Sequence, residues 1–145
     1  MRALFGAIAG YIALVVVIFA TLTGAYLALG TEKTFQEGSW SPSMLWVGIM
    51  LAFGLVAALV GGKVARKIGG EKSPLVLAGV VLVLGGLQAL SVANYEPPAD
   101  RPEPRPADVG NFESMQYAEQ PLWFAIANPL VGVLGVLMGG RRREE

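Results

Sequence analysis

The sequence predicts an all-α membrane protein with four transmembrane helices, both termini on one side, and a proline-rich loop on the other. Three observations carry this. The chain of 145 residues is 54% hydrophobic, more than a soluble domain of its size can hide. Its charges, 15% of residues, leave four uncharged stretches: 3–31, 38–62, 73–95 and 120–140. Each reaches the roughly 20 apolar residues that a bilayer-crossing helix needs. Helices are the expected solution because hydrocarbon offers an open backbone no partners.

The first helix is expected near 3–29. Arg2 precedes an apolar run from Ala3 to Leu29, longer than the roughly 7–15 residues of a signal-peptide core, so it is expected to be retained. The short polar loop "GTEKTFQEGSWSPS" leads to a second helix near 44–65. A basic turn, "KVARKIGGEKSP", precedes the third, near 74–95. The longest polar segment, 96–120, is proline-rich in its first half (Pro97, Pro98, Pro102, Pro104, Pro106) and suits an extended arm. Its second half places Val109, Phe112 and Met115 at three-residue spacing, as a short helix lying on the membrane surface or docked on a neighbour would. A solvated loop is the competing expectation. The fourth helix, near 121–140, opens with "LWFAI", which echoes "LWVGI" at Leu45. Both helices close with a glycine pair and a base, "GGR" and "GGK". A duplicated hairpin would produce this match, and so would chance.

Charge orients the bundle. One side receives Arg2, Lys63, Arg66, Lys67, Lys72 and Arg141 to Arg143 with Glu71, Glu144 and Glu145, a balance of +5. The other receives three basic and eight acidic residues, a balance of −5. The positive-inside rule then makes both termini cytoplasmic in a bacterial inner membrane. Lys63, Arg66, Lys67, Arg141, Arg142 and Arg143 are expected to meet anionic headgroups. Trp40, Trp46 and Trp123 fall where an aromatic belt is expected on the opposite surface.

Small residues at four-residue spacing mark where helices approach in lipid. Gly6 and Gly10 form such a pair, as do Gly54, Ala58 and Gly62 in the second helix, and Gly135 and Gly139 in the fourth. The third helix offers Gly85, Ala89 and Ala93. Polar residues within the spans are few. By a rise of 1.5 Å per residue, Thr21, Gln88 and Asn128 lie at one depth, about 12–14 Å below the acidic surface. A mutual hydrogen-bond clasp is expected, with a small polar cavity as the alternative. Pro129 removes the donor that would reach the carbonyl of Ala125 and is expected to kink the fourth helix.

Cysteine and histidine are both absent. Disulfides, thiolate or imidazole metal ligation, and nucleophilic sites built on either residue are thereby excluded. No carboxylate pair lies within a span, no phosphate-cradling glycine loop is present, and the terminal "RRREE" is too short to imply nucleic acid. No cofactor is expected. The expected partners are the lipid bilayer and other membrane subunits, or further copies of the chain. The functional expectation is a non-catalytic accessory or scaffolding subunit, with a small homo-oligomeric transporter or channel as the alternative.

Overall fold

A computed structural model describes residues 1–141. It contains six helices among those residues: α1 Arg2–Leu29, α2 Thr31–Thr34, α3 Met44–Gly69, α4 Ser73–Ala93, α5 Asn111–Tyr117 and α6 Leu122–Gly139. Four of them, α1, α3, α4 and α6, are long and apolar enough to cross a membrane. At most 28% of the residues in the apolar centre of each are buried inside the chain. So much outward apolar surface is untenable in water and natural in lipid.

The helix ends follow local chemistry. α1 stops at Gly30, whose φ of 76° suits glycine and whose N–H donates to the Tyr26 carbonyl. α3 starts where the Ser43 hydroxyl accepts from the Trp46 N–H at 3.1 Å. It ends at Gly70, again at positive φ. α4 carries Pro74 in its first turn, where a missing N–H is harmless. The span expected near 44–65 runs on to Gly69, because Gly61 and Gly62 do not relax the helix. They are contact points within it, and the basic turn shortens to Gly70–Lys72.

Glycine sets how closely the helices approach. α1 lies on α3 with Gly6 against Gly69 and Gly10 against Gly61. A methyl group on Gly6 would sit 2.5 Å from the Gly69 Cα, and one on Gly10 2.5 Å from the Gly61 carbonyl oxygen. α3 in turn lies on α6. Gly62 abuts the Val136 backbone, Gly139 abuts the Leu59 backbone, and Gly135 faces the Ala58 methyl. α6 lies on α4, where the Pro129 ring sits against Gly85. Ala7, Ala58, Ala65, Leu77, Ala78 and Val136 form the shared core. Small and branched residues therefore fill the centre, as close packing without a hydrophobic driving force requires. A methyl group on Gly54 would make only ordinary contacts, with the Asn128 and Ile18 side chains.

The chain brings Arg2, the Gly70–Lys72 turn and Gly140 to one end of the bundle, the basic end. Arg2 Nε donates to the Ile68 carbonyl at 3.5 Å, and Arg66 Nη1 donates to the Gly140 carbonyl at 2.5 Å. The segments 30–43 and 94–121 meet at the opposite, acidic end.

Candidate functional site

At the acidic end the two polar segments fold into an ordered cap. Its apolar centre is Tyr26, Phe35, Trp40, Val109 and Tyr117, with Trp46 and Ala118 beside it. Trp40, only 2% exposed, stands edge-on to Phe35 and tilts against Tyr117, at ring-centroid distances of 5.8 and 5.3 Å. Its indole N–H donates to the Pro102 carbonyl at 2.9 Å. Trp40 is therefore a core residue of the cap, contrary to the aromatic-belt expectation. Its ring is enclosed and its one donor is satisfied internally, so neither part seeks the membrane surface. Trp46 packs edge-on against Tyr26, and Trp123 is exposed.

Two arginines hold the cap shut. Arg105 Nε donates to the Ser39 carbonyl at 2.7 Å and Nη1 to the Pro106 carbonyl at 2.6 Å. Its guanidinium also lies 5.3 Å from the Phe35 ring centroid, within cation–π range. The Arg101 side chain is 6% exposed and is bracketed by Glu103 and Glu119, the latter at 2.9 Å. Burial opposes its charge, but the hydrogen bonds and charges of the two carboxylates more than offset that and raise its pKa above the ordinary value. Glu119 also accepts from the Ser41 hydroxyl at 2.9 Å. The Tyr26 hydroxyl donates to the Val109 carbonyl at 2.6 Å, and the Val109 N–H donates to Thr31 Oγ1 at 3.0 Å.

The short helix expected in the second half of 96–120 is α5, and it begins at Asn111. Val109 turns inward, while Phe112, 80% exposed, and Met115 turn outward. Tyr117 is buried against the cap, and its hydroxyl donates to Asp100 at 3.4 Å. Burial raises its pKa, and the charge of Asp100 pushes in the same direction.

The intramembrane polar residues do not form the expected three-way clasp. The Thr21 hydroxyl donates to the Val17 and Ile18 carbonyls of its own helix, at 2.7 and 3.2 Å. That local bond satisfies the hydroxyl without a neighbour. Gln88 Nε2 reaches Gln120 Oε1 at 3.5 Å. Asn128 Oδ1 lies 3.4 Å from where a Gly54 Cβ would stand, and the Asn128 side chain has no hydrogen-bond partner among the described residues. Gln88, Gln120 and Asn128 instead share the wall of a cavity of about 130 Å³ with Tyr11, Gly85 and Pro129. The lining is mostly apolar, and the three amides supply polar groups that a water there could bond.

At the basic end Arg66 makes two bonds. Besides Gly140 it pairs with Glu71 at 3.1 Å. Lys63, Lys67 and Arg141 line a groove between α3 and α6 and make no side-chain ion pair among the described residues. Arg142 and Arg143, also expected at headgroups, lie outside the described residues. The cap arginines escape sequence reasoning, because charges among prolines read as solvated.

Comparison with protein-family models, with curated proteins and with solved structures gives no match.

Proposed function

We propose that this chain is a non-catalytic, multi-pass subunit of a bacterial inner membrane, with both termini cytoplasmic, that acts as an accessory or scaffolding part of a larger membrane complex. The outward face of α4 carries the reading. Leu75, Leu82, Val83 and Leu90 are exposed on it. Gly79 and Gly86 lie on the same stripe, seven residues and therefore two turns apart. A Cβ at either would meet nothing within 4 Å. The other α4 glycine, Gly85, is required by Pro129. Gly79 and Gly86 are not required by any contact inside the chain, and glycine in a helix interior costs about 0.5–1 kcal/mol relative to alanine. Lipid tails need no such notch, whereas the backbone of a neighbouring helix does. The hydrogen-bonded cap, which displays Phe112 outward, supports the same reading. The charge imbalance supports the orientation, with the basic end inside.

The test is gentle solubilisation and identification of what co-purifies, with Gly79→Leu/Gly86→Leu alongside the wild type. A stoichiometric foreign subunit that the double variant loses, while its own fold stays intact, is the expected result. A chain that purifies without a foreign subunit and is indifferent to the two leucines would defeat the proposal.

A second reading, a small homo-oligomeric transporter or channel, is favoured by the cavity walled by Gln88, Gln120 and Asn128. It predicts a homo-oligomer whose conductance or uptake fails in Gln88→Leu or Asn128→Leu at unchanged stability.

A further inference from the structure

The groove between α3 and α6 at the basic end has an arrangement that helix packing alone does not explain. Gly62 and Gly139 let the two helices touch backbone to backbone on one side of the contact. Beside that contact the helices part, leaving a groove of about 790 Å³. This falls within the roughly 300–1,000 Å³ usual for small-molecule sites. Its floor is apolar, formed by Val56, Leu59, Val60 and Met138. Val56, Val60 and Met138 are also exposed, so the groove opens sideways, toward where lipid lies. Its rim is cationic. Lys63 and Lys67 stand one turn apart on α3, and Arg141 follows the end of α6. Arg66 also lines the groove, but it is bonded to Gly140 and Glu71 and so serves as a fastener between helix ends. Glu71, its carboxylate partner, is not part of the groove wall.

The vertical order matters. Val56 lies seven residues before Lys63, about 10 Å deeper along the helix. A ligand filling the groove therefore meets cations at its top and an apolar channel below. A phosphate-bearing headgroup above an acyl chain has that order, and long basic side chains at helix ends are suited to reach it. A soluble phosphate would leave the channel unfilled, and a neutral lipid would bring no negative charge to the three cations.

We propose that this groove seats one anionic phospholipid, with its phosphate held by Lys63, Lys67 and Arg141 and an acyl chain lying along Val56, Leu59, Val60 and Met138. The bound lipid fills the gap between the ends of α3 and α6 and continues the link that Arg66 makes beside it.

The experiment uses the full chain in nanodiscs of phosphatidylcholine, alone or mixed with phosphatidylglycerol of identical acyl chains, followed by release into a mild detergent and native mass spectrometry. The wild type is expected to keep one phosphatidylglycerol in preference to phosphatidylcholine. Lys63→Gln, Lys67→Gln and Arg141→Gln should each weaken retention about fivefold, the effect of one charge near an anionic surface. Val60→Trp, which fills the channel and leaves the cations, should also release the lipid. Lys33→Gln, at the acidic end, should change nothing. Equal retention of the two lipids by the wild type would overturn the proposal without recourse to any variant. So would undiminished phosphatidylglycerol retention in the triple glutamine variant, or in a folded Val60→Trp. Displacement of the lipid by millimolar glycerol phosphate would show an anion site that needs no acyl chain, and would overturn it equally.

Discussion

Replacing Gly85 and Gly86 separately by alanine adds the same methyl group to the same helix, one residue apart. The structure assigns the two opposite outcomes. At Gly86 the new Cβ meets nothing within 4 Å, so only the backbone effect acts. Alanine is favoured over glycine in a helix interior by about 0.5–1 kcal/mol. In the isolated chain Gly86→Ala should stabilise by up to that amount. At Gly85 the new Cβ falls against the Pro129 ring, with Cγ at 2.8 Å and Cα at 3.5 Å. The ring is stiff and belongs to α6, so relief requires that α6 move away from α4. Overpacking of this kind costs about 1–3 kcal/mol. Net of the helix gain, Gly85→Ala should destabilise by up to about 2.5 kcal/mol on those figures. Reversible unfolding of the purified monomer in mixed micelles, titrated with a denaturing detergent, ranks the two variants against the wild type. Shifts of the same sign and size at both positions would refute the seating of Pro129 on Gly85, and with it the proposed pairing of α4 and α6.

Three further outcomes follow from the cap and the cavity. Arg101→Met leaves Glu119 and Glu103 without their cation. Because these carboxylates are 37% and 64% exposed, water recovers part of the loss. The cost should then be about 1–3 kcal/mol, below the roughly 3–5 of a fully buried broken pair. Faster proteolysis within 96–120 would reveal it, and unchanged resistance would count against the clasp. Tyr117 has a folded pKa raised above 10.0. Below that value both folded and unfolded states keep the proton and the group adds no pH dependence. As pH rises past it the unfolded state ionises first, so the cap should lose stability from about pH 10 upward. Tyr117→Phe should remove that part of the alkaline loss, read from proteolysis within 96–120 against pH, and an identical profile would refute the assignment. In a double-mutant cycle, Gln88→Leu and Asn128→Leu should couple by less than the roughly 0.6 kcal/mol average of intramembrane hydrogen bonds, since Gln88 reaches Gln120 instead. Coupling above 1 kcal/mol would mean that the two side chains bond directly.

The four long helices are legible in the sequence because their cause is local: a run of uncharged residues long enough to cross hydrocarbon needs no knowledge of neighbours. Gly6, Gly10, Gly62, Gly135 and Gly139 are legible for a related reason, since four-residue spacing puts small residues on one face whatever that face meets. What they meet is not legible. Gly61 and Gly62 resemble a helix end because glycine pairs often loosen helices, and only the positions of Gly10 and Val136 show them to be contacts. Depth along a helix is readable by counting, but azimuth relative to other helices is not. Thr21, Gln88 and Asn128 thus share a level without sharing a bond. The cap is the least legible part. Arg101 and Arg105 sit among prolines and acids, a composition that favours solvent, and their burial depends on carbonyls of residues 30–43 and on a carboxylate, Glu119, eighteen residues along the same loop. Trp40 is misread on similar grounds, as its amphipathic ring suits a membrane surface and a protein interior alike.

The long reach of the cap's bonds constrains the order in which the molecule is built. Trp40 donates across 62 residues to Pro102, Arg105 across 66 to Ser39, and Tyr26 across 83 to Val109. A chain made from its N-terminus therefore completes α1 and α3 while Trp40 and Phe35 still lack their covers. Those covers arrive only after the intervening α4 has been synthesised and its far end delivered to the same side. Until then two aromatic rings and the carbonyl of Ser39 stand open to whatever is near. Closure of the cap reports that α4 has carried residues 94–121 back beside residues 30–43, so a protease able to cut residues 30–43 would distinguish half-folded chains from finished ones.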